Sequence, residues 1–325
     1  MRRIMEKIKA LSKEDKIVLS VALVMVIIVA GIIIIKLQEV GVGVGVGNVA
    51  PSIDSVALKD TGENFVSTLD PYTEYYVYVT VTDQNTLLDL KEIRFVMYSY
   101  QSSLSDSDSV SDHYTFIYNA TSDSWIAGIS DTIIETDCLT PTDLSGASGT
   151  YRLAFRLLLA RASTPVADQW TLEIIVIDNN NANATYTTKF DVRVYGQISL
   201  SATQLAFYGQ PADQKVPSDP QFIVVTVYAN WNWELLIRGE DLVNPEKQAS
   251  IPVSNLYIDD DPNPVEDTET GATIQSLSLD FTIALGQSGG YANGMQINIY
   301  FYIDIPSPLP SGTYSGKIYF ALSLG

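Results

Sequence analysis

The sequence predicts an all-β protein in which one N-terminal transmembrane helix is followed by two tandem β-sandwich domains. Three observations carry this expectation. Residues 17–35 form an uncharged apolar run, an apolar period of two dominates from Pro51 onward, and the charge divides sharply on either side of the run.

The run reads IVLSVALVMVIIVAGIIII from Ile17 to Ile35. As a helix it rises about 28 Å, which matches the hydrocarbon core of a bilayer. Lys16 and Lys36 bracket it, placed to reach the headgroups. A cleaved signal peptide would have a shorter apolar region ending in a small-residue site. The nearest such site, Val49-Ala50, lies well past the run. A type IV pilin leader fits poorly, because Asp15-Lys16-Ile17 has no small residue before the run and no Glu follows early within it.

Residues 1–16 hold Arg2, Arg3, Lys7, Lys9, Lys13 and Lys16 against Glu6, Glu14 and Asp15, a balance of +3. Subtracting these from 19 basic and 38 acidic residues leaves 13 and 35, so the remainder carries -22. The positive-inside rule places the leader in the cytoplasm and the rest outside the cell. An acidic surface of this size repels phosphate and excludes nucleic acid as a partner, while it attracts cations.

Residues 37–50 read as a stalk, with strict Gly-Val alternation from Gly41 to Gly47. Its valines leave open a second role, pairing with the sheet edge of a neighbouring copy.

The first expected sandwich spans 51–196. Tyr75, Val77, Val79 and Val81 alternate with Glu74, Tyr76, Tyr78 and Thr80, and Ile93, Phe95 and Met97 alternate with Glu92, Arg94 and Val96. Further apolar rows follow at Tyr151 to Leu159, Trp170 to Val176, and Phe190, Val192 and Val194. Five or more such strands divided by Gly, Pro, Asn and Asp fit an Ig-like sandwich. The second expected sandwich spans 197–325. Its rows are Ile223 to Val227, Trp231 to Ile237 and Ile297 to Ile305, with a closing strand at Ile318, Phe320 and Leu322 after the turn Pro310-Ser311-Gly312-Thr313. So short a linker between the two predicts a rod or bent rod.

Three segments of the second unit, ANWNWELLIRGEDL, IPVSNLYI and LPSGTYSGKIYFALS, resemble a β-sandwich module of archaeal and bacterial cell-surface proteins, with its Trp-rich strand and Pro-x-Gly-Thr-Tyr-x-Gly turn. PSIDSVAL and YVYVTVTDQNTLLDL are similar, more loosely, to archaeal surface Ig-like domains. The resemblance implies a cell-surface location and no reaction. Cys138, the only cysteine, excludes an intrachain disulfide and reads as a small buried hydrophobe.

Chemistry is sparse. His113 is the only histidine, and in SDSDSVSDHYTF it reads as a solvated residue at a loop-to-strand junction; no G-x-S-x-G, P-loop or H-E-x-x-H occurs. No enzyme activity or resident cofactor is expected. Three acidic groups are calcium candidates: Asp83, Asn85 and Asp89; Asp106, Asp108 and Asp112; and Asp259, Asp260, Asp261, Glu266 and Asp267. The last is preferred because Pro262 and Pro264 stiffen its loop. Asn119 and Asn183 head glycosylation sequons.

The expected role is that of a membrane-anchored surface-layer component, stalk or adhesin, whose partners are the bilayer and other surface proteins or copies of itself. Tyr76, Tyr78, Tyr98 and Tyr100, opposite the expected core faces, offer a contact patch, or else lie under a second covering layer. A filament subunit and a tethered solute-binding protein are the competing readings.

Overall fold

The computed structural model describes residues 6–7, 9, 11–20, 47–163, 169–262 and 275–325. The chain divides into two compact units, Met1–Asn48 and Val49–Gly325.

In the first unit residues 13–20 are helical and exposed. Ser12 caps this helix: its Oγ accepts the Asp15 N–H at 3.1 Å, its hydroxyl donates to Asp15 Oδ2 at 2.7 Å, and its carbonyl accepts the Lys16 N–H. Asp15 at the third position also favours the positive end of the helix dipole. From residue 21 the expected membrane span lies outside the described residues, as do stalk residues 37–46. Among the described residues no helix is long and apolar enough to cross a membrane.

The second unit is all-β. Its first half contains β1 (Ser52–Asp60), β2 (Thr68–Leu69), β3 (Glu74–Thr82), β4 (Leu90–Ser99), β5 (His113–Asn119), β6 (Ser124–Ala127), β7 (Ser148–Arg156), β8 (Trp170–Asp178) and β9 (Asn183–Val192). They form two sheets, β1-β3-β7 and β2-β9-β8-β4-β5-β6, antiparallel throughout except for the parallel pair β2 and β9. Isolated bridges tie Ile133 to Phe155 and Leu139 to Arg152, so the segment between β6 and β7 runs along the open edge of β7.

Alternation decides which side chains meet between these sheets. Val77, Val79 and Val81 of β3, Ile93, Phe95 and Met97 of β4, and Leu172, Ile174 and Val176 of β8 are all fully buried in one core. Aromatic rings bridge the layers, with centroids 5.7 Å apart for Phe116 and Phe155 and 5.1 Å for Tyr118 and Tyr151. Leu157 and Leu159 are buried although β7 ends before them, whereas Val194, expected in the same row as Phe190 and Val192, is 47% exposed because β9 has already ended.

The second half contains β10 (Gly196–Leu200), β11 (Ala206–Phe207), β12 (Val216–Ala229), β13 (Trp233–Gly239), β14 (Leu242–Asn244), β15 (Ala249–Ile251), β16 (Leu256–Asp259), β17 (Gln275–Ser276), β18 (Thr282–Gly289), β19 (Ala292–Ile303) and β20 (Ile318–Leu324). The order β10-β12-β19-β16-β17 faces β18-β13-β20 across a separate core that includes Val225, Val227, Trp233, Leu235, Ile299 and Phe301. Gly196 opens β10 where a Cβ would meet Leu322 and Leu324 side-chain carbons at 2.7 Å, so the close approach of β20 needs glycine there.

Asn230, in the turn between β12 and β13, joins the two halves. It is 1% exposed, and its Nδ2 donates to the carbonyls of Ala160 and Arg193, each at 2.8 Å. Its Oδ1 accepts the Tyr195 N–H, its own N–H reaches the Tyr195 carbonyl, and its carbonyl accepts the Ala162 N–H. Around it the Tyr72 and Tyr195 rings pack at 5.2 Å, and the Arg161 guanidinium lies 5.8 Å from the Tyr291 ring.

Candidate functional site

The first acidic site is assembled where β3 and β8 end together. Asp83 follows the last residue of β3, and its N–H is held by the Ala147 carbonyl. Its Oδ1 accepts the Asn85 N–H at 2.8 Å, and Thr86, at φ 88°, turns the chain into a single 3-10 turn at Leu87–Asp89. Leu87 is buried in the core and anchors that turn. Asp178 closes β8, and its Oδ1 accepts the N–H groups of Asn180 and Ala182 at 2.9 and 2.8 Å. The Asn179 N–H bonds the Asp89 carbonyl at 2.8 Å and clamps the two loops together.

The result brings one carboxylate oxygen from each of Asp83, Asp89 and Asp178 within 4.8 Å of one another. Asp83 and Asp178 are fully buried and Asp89 is half-buried. Burial, followed by the charges of Asp89 and Asp178, raises the Asp83 pKa above its ordinary value, despite the lowering effect of the Asn85 N–H. Asp83 Oδ2 is sealed from solvent with no hydrogen-bond partner. On the same pole, Asn85 Oδ1 accepts the Val49 N–H at 2.7 Å, and Ser52 of β1 pairs with Thr82.

The other expected sites are placed differently. Asp106 bonds Ser102 and Ser103, Asp108 faces His113, and Asp112 bonds Ser99, Ser111 and Arg161, so this group is divided among three separate tasks. Asp259 ends β16 buried, with its Oδ1 on the Asp260 N–H, while the Asp261 carbonyl accepts the Tyr302 hydroxyl. Glu266 and Asp267 lie outside the described residues.

His113 is not solvated. It opens β5 at 2% exposure, because the strand carries it under Tyr98, whose ring stacks on it at 6.3 Å. Its Nδ1 lies 3.0 Å from Asp108 Oδ1, and its Nε2 is buried without a partner. The tyrosines do not form a continuous exposed patch either. Tyr76 is 8% exposed, with the Arg152 guanidinium 4.5 Å above its ring; Tyr78 bonds Glu63 and Arg152; Tyr98 bonds Glu173; Tyr100 alone of the four is open to solvent. Cys138 is half-buried rather than buried, its Sγ accepting the Ala154 N–H, and burial raises its pKa to about 11.

Asn119 Oδ1 accepts the N–H groups of Thr121 and Ser122 in the turn after β5, and Asn183 stands exposed at the start of β9. The residue sequence reasoning missed is Asp178. Its signal is a strand that ends in Asp and runs into Asn179-Asn180-Asn181, a turn that needs a side-chain acceptor.

No protein-family model matches the chain. No curated protein matches it in sequence. Among solved structures it is similar to murine CEACAM1b, at 11% identity over 68% of this chain and 84% of that one, with a TM-score of 0.20. It is also similar to BcpA, the major pilin subunit of Bacillus cereus, at 10% identity over 78% of this chain and 67% of that one, with a TM-score of 0.22.

Proposed function

We propose that this chain is a non-catalytic structural protein of a cell surface, in which residues 17–36 anchor two Ig-like sandwiches outside the membrane. The observation that carries this reading is the Asn230 junction. It spends every polar group of a buried side chain on fastening one sandwich to the next. A protein that closes over a substrate needs a hinge between its halves, and a fastened junction instead suits a spacer that transmits position or load.

Strand order supports the Ig-like part. In the sheet β2-β9-β8-β4-β5-β6, the two strands beyond β4 extend the face as in a variable-type sandwich, opposite β1-β3-β7. The -22 charge beyond residue 16 supports an exposed position, and partners reached through copies of the same chain or other surface proteins rather than nucleic acid.

The test is electron microscopy of the native cell surface, with N-terminal sequencing of the recovered chain. Particles or a lattice standing on the membrane, with the leader intact, are the expected result. Filaments built from a processed chain would replace the anchored spacer with a filament subunit.

A further inference from the structure

We propose that Asp83, Asp89 and Asp178 form a calcium site that locks the pole of the first sandwich where the chain enters it. Two oxygens bound to one calcium at about 2.4 Å each lie no more than about 4.8 Å apart, and the three carboxylates meet that limit. They come from two loops already clamped by the Asn179–Asp89 hydrogen bond, so little ordering remains to be done when the ion binds.

Acidic side chains gathered on a surface are common and need no ion. This group differs in one respect. Asp83 is fully buried, and its Oδ2, in a group with two other carboxylates, has neither a hydrogen bond nor an ion pair. A buried carboxylate oxygen without a partner carries the full cost of desolvation, and two like charges beside it add to that cost. A divalent cation removes both penalties together.

The donor chemistry selects the ion. The ligands are all oxygen, with neither His nor Cys in the group, which suits a hard cation. Magnesium keeps several waters and takes one or two carboxylates, whereas calcium accepts three carboxylates in variable geometry with loop carbonyls or waters completing its shell. Calcium here would tie the β3–β4 loop to the β8–β9 turn. Through Asn85 it would also fix Val49, where the chain passes into β1.

The experiment uses the full-length chain in detergent, stripped with EGTA and titrated with calcium by calorimetry, with thermal melts in parallel. Wild type is expected to bind a tight calcium and to melt several degrees higher with calcium than with EGTA. Asp89→Asn, at a half-exposed position that leaves the core intact, should weaken that binding by tenfold or more and abolish the shift, as should Asp178→Asn. Asp260→Asn with Asp261→Asn should leave both unchanged, which separates this site from the acidic run after β16. Asp83→Asn should raise the melting temperature in EGTA and remove the response to calcium. Equal calcium affinity in wild type and Asp89→Asn, no calcium-dependent shift in wild type, or magnesium binding as tightly as calcium would each overturn the assignment.

Discussion

Asn230 and Tyr195 hold each other through two hydrogen bonds: the Asn230 side-chain Oδ1 accepts the Tyr195 N–H at 2.7 Å, and the Asn230 backbone N–H donates to the Tyr195 carbonyl at 3.1 Å. Tyr195 is the last residue before β10, so this pair fastens the turn between β12 and β13 to the segment where the first half passes into the second. Asn230→Ala would leave the Tyr195 N–H and the Ala160 and Arg193 carbonyls without their partner. The expected cost is about 3 kcal/mol, since each unsatisfied buried group costs about 1 to 3 kcal/mol. Urea denaturation measures it, and limited proteolysis should show new cleavage between β9 and β10. A loss below about 1 kcal/mol, within the range of a solvated hydrogen bond, would mean that water substitutes for the side chain.

Asp259 makes stability depend on pH. Burial, and then the charges of Asp261 and Asp260, raise its pKa to about 6, against an ordinary 3.8. The folded chain therefore holds this proton more tightly than the unfolded chain. The stabilisation is present below the unfolded value, declines as pH rises from about 4, and is gone above about 6. Melts in EGTA at pH 5 and pH 7 should show the more acidic sample more stable by about 1 kcal/mol. Asp259→Asn should stabilise the chain at pH 7 and flatten the profile. An unchanged slope in that variant would assign the effect to another carboxylate.

Lys215 and Asp304 form a pair in the second half of the β unit, with Nζ 2.8 Å from Oδ2, the Lys215 N–H on Oδ1 and the ammonium 3.4 Å from the Tyr257 ring centroid. Burial raises the Asp304 pKa, but the hydrogen bonds from Lys215 and Tyr257 and the Lys215 charge outweigh it and leave the carboxyl below its ordinary value. Lys215→Met keeps the stem and removes the charge, so Asp304 stays buried with only the Lys215 backbone N–H and Tyr257 as donors. The expected loss is about 2 kcal/mol at pH 7, shrinking as pH falls through the carboxylate range. Chemical denaturation at pH 7 and pH 3 checks both parts. A cost equal at the two values would point to lost packing on Tyr257 instead.

Of the two sequons, Asn183 is the better acceptor for a glycan. Its side chain is exposed, whereas Asn119 Oδ1 is engaged by two backbone N–H groups that shape the turn after β5. Mass spectrometry of the chain recovered from its native cells should find a glycan at Asn183 in a larger fraction of molecules than at Asn119. The reverse occupancy would show that the Asx turn does not protect Asn119.

The all-β fold was legible because its signal is local. A strand displays alternate side chains on opposite faces, so Tyr75, Val77, Val79 and Val81 announce a buried face without reference to any other strand. The same locality explains the error at His113, which sits among Asp and Ser in the sequence, yet β5 carries it under Tyr98. It also explains why the role of Tyr76 stayed open: its ring faces away from the core, and Arg152 from β7 covers it. What covers a face is decided by a strand distant in sequence.

Composition and periodicity by themselves determined the strand content, the charge division about residues 17–35 and the single cysteine, since each depends on a residue and its near neighbours. Only the tertiary structure decided that Asp83 and Asp89 are joined by Asp178, and that one asparagine fastens the two halves of the β unit. Both depend on loops at the ends of separate strands, and strand pairing, not sequence proximity, determines which loop ends meet.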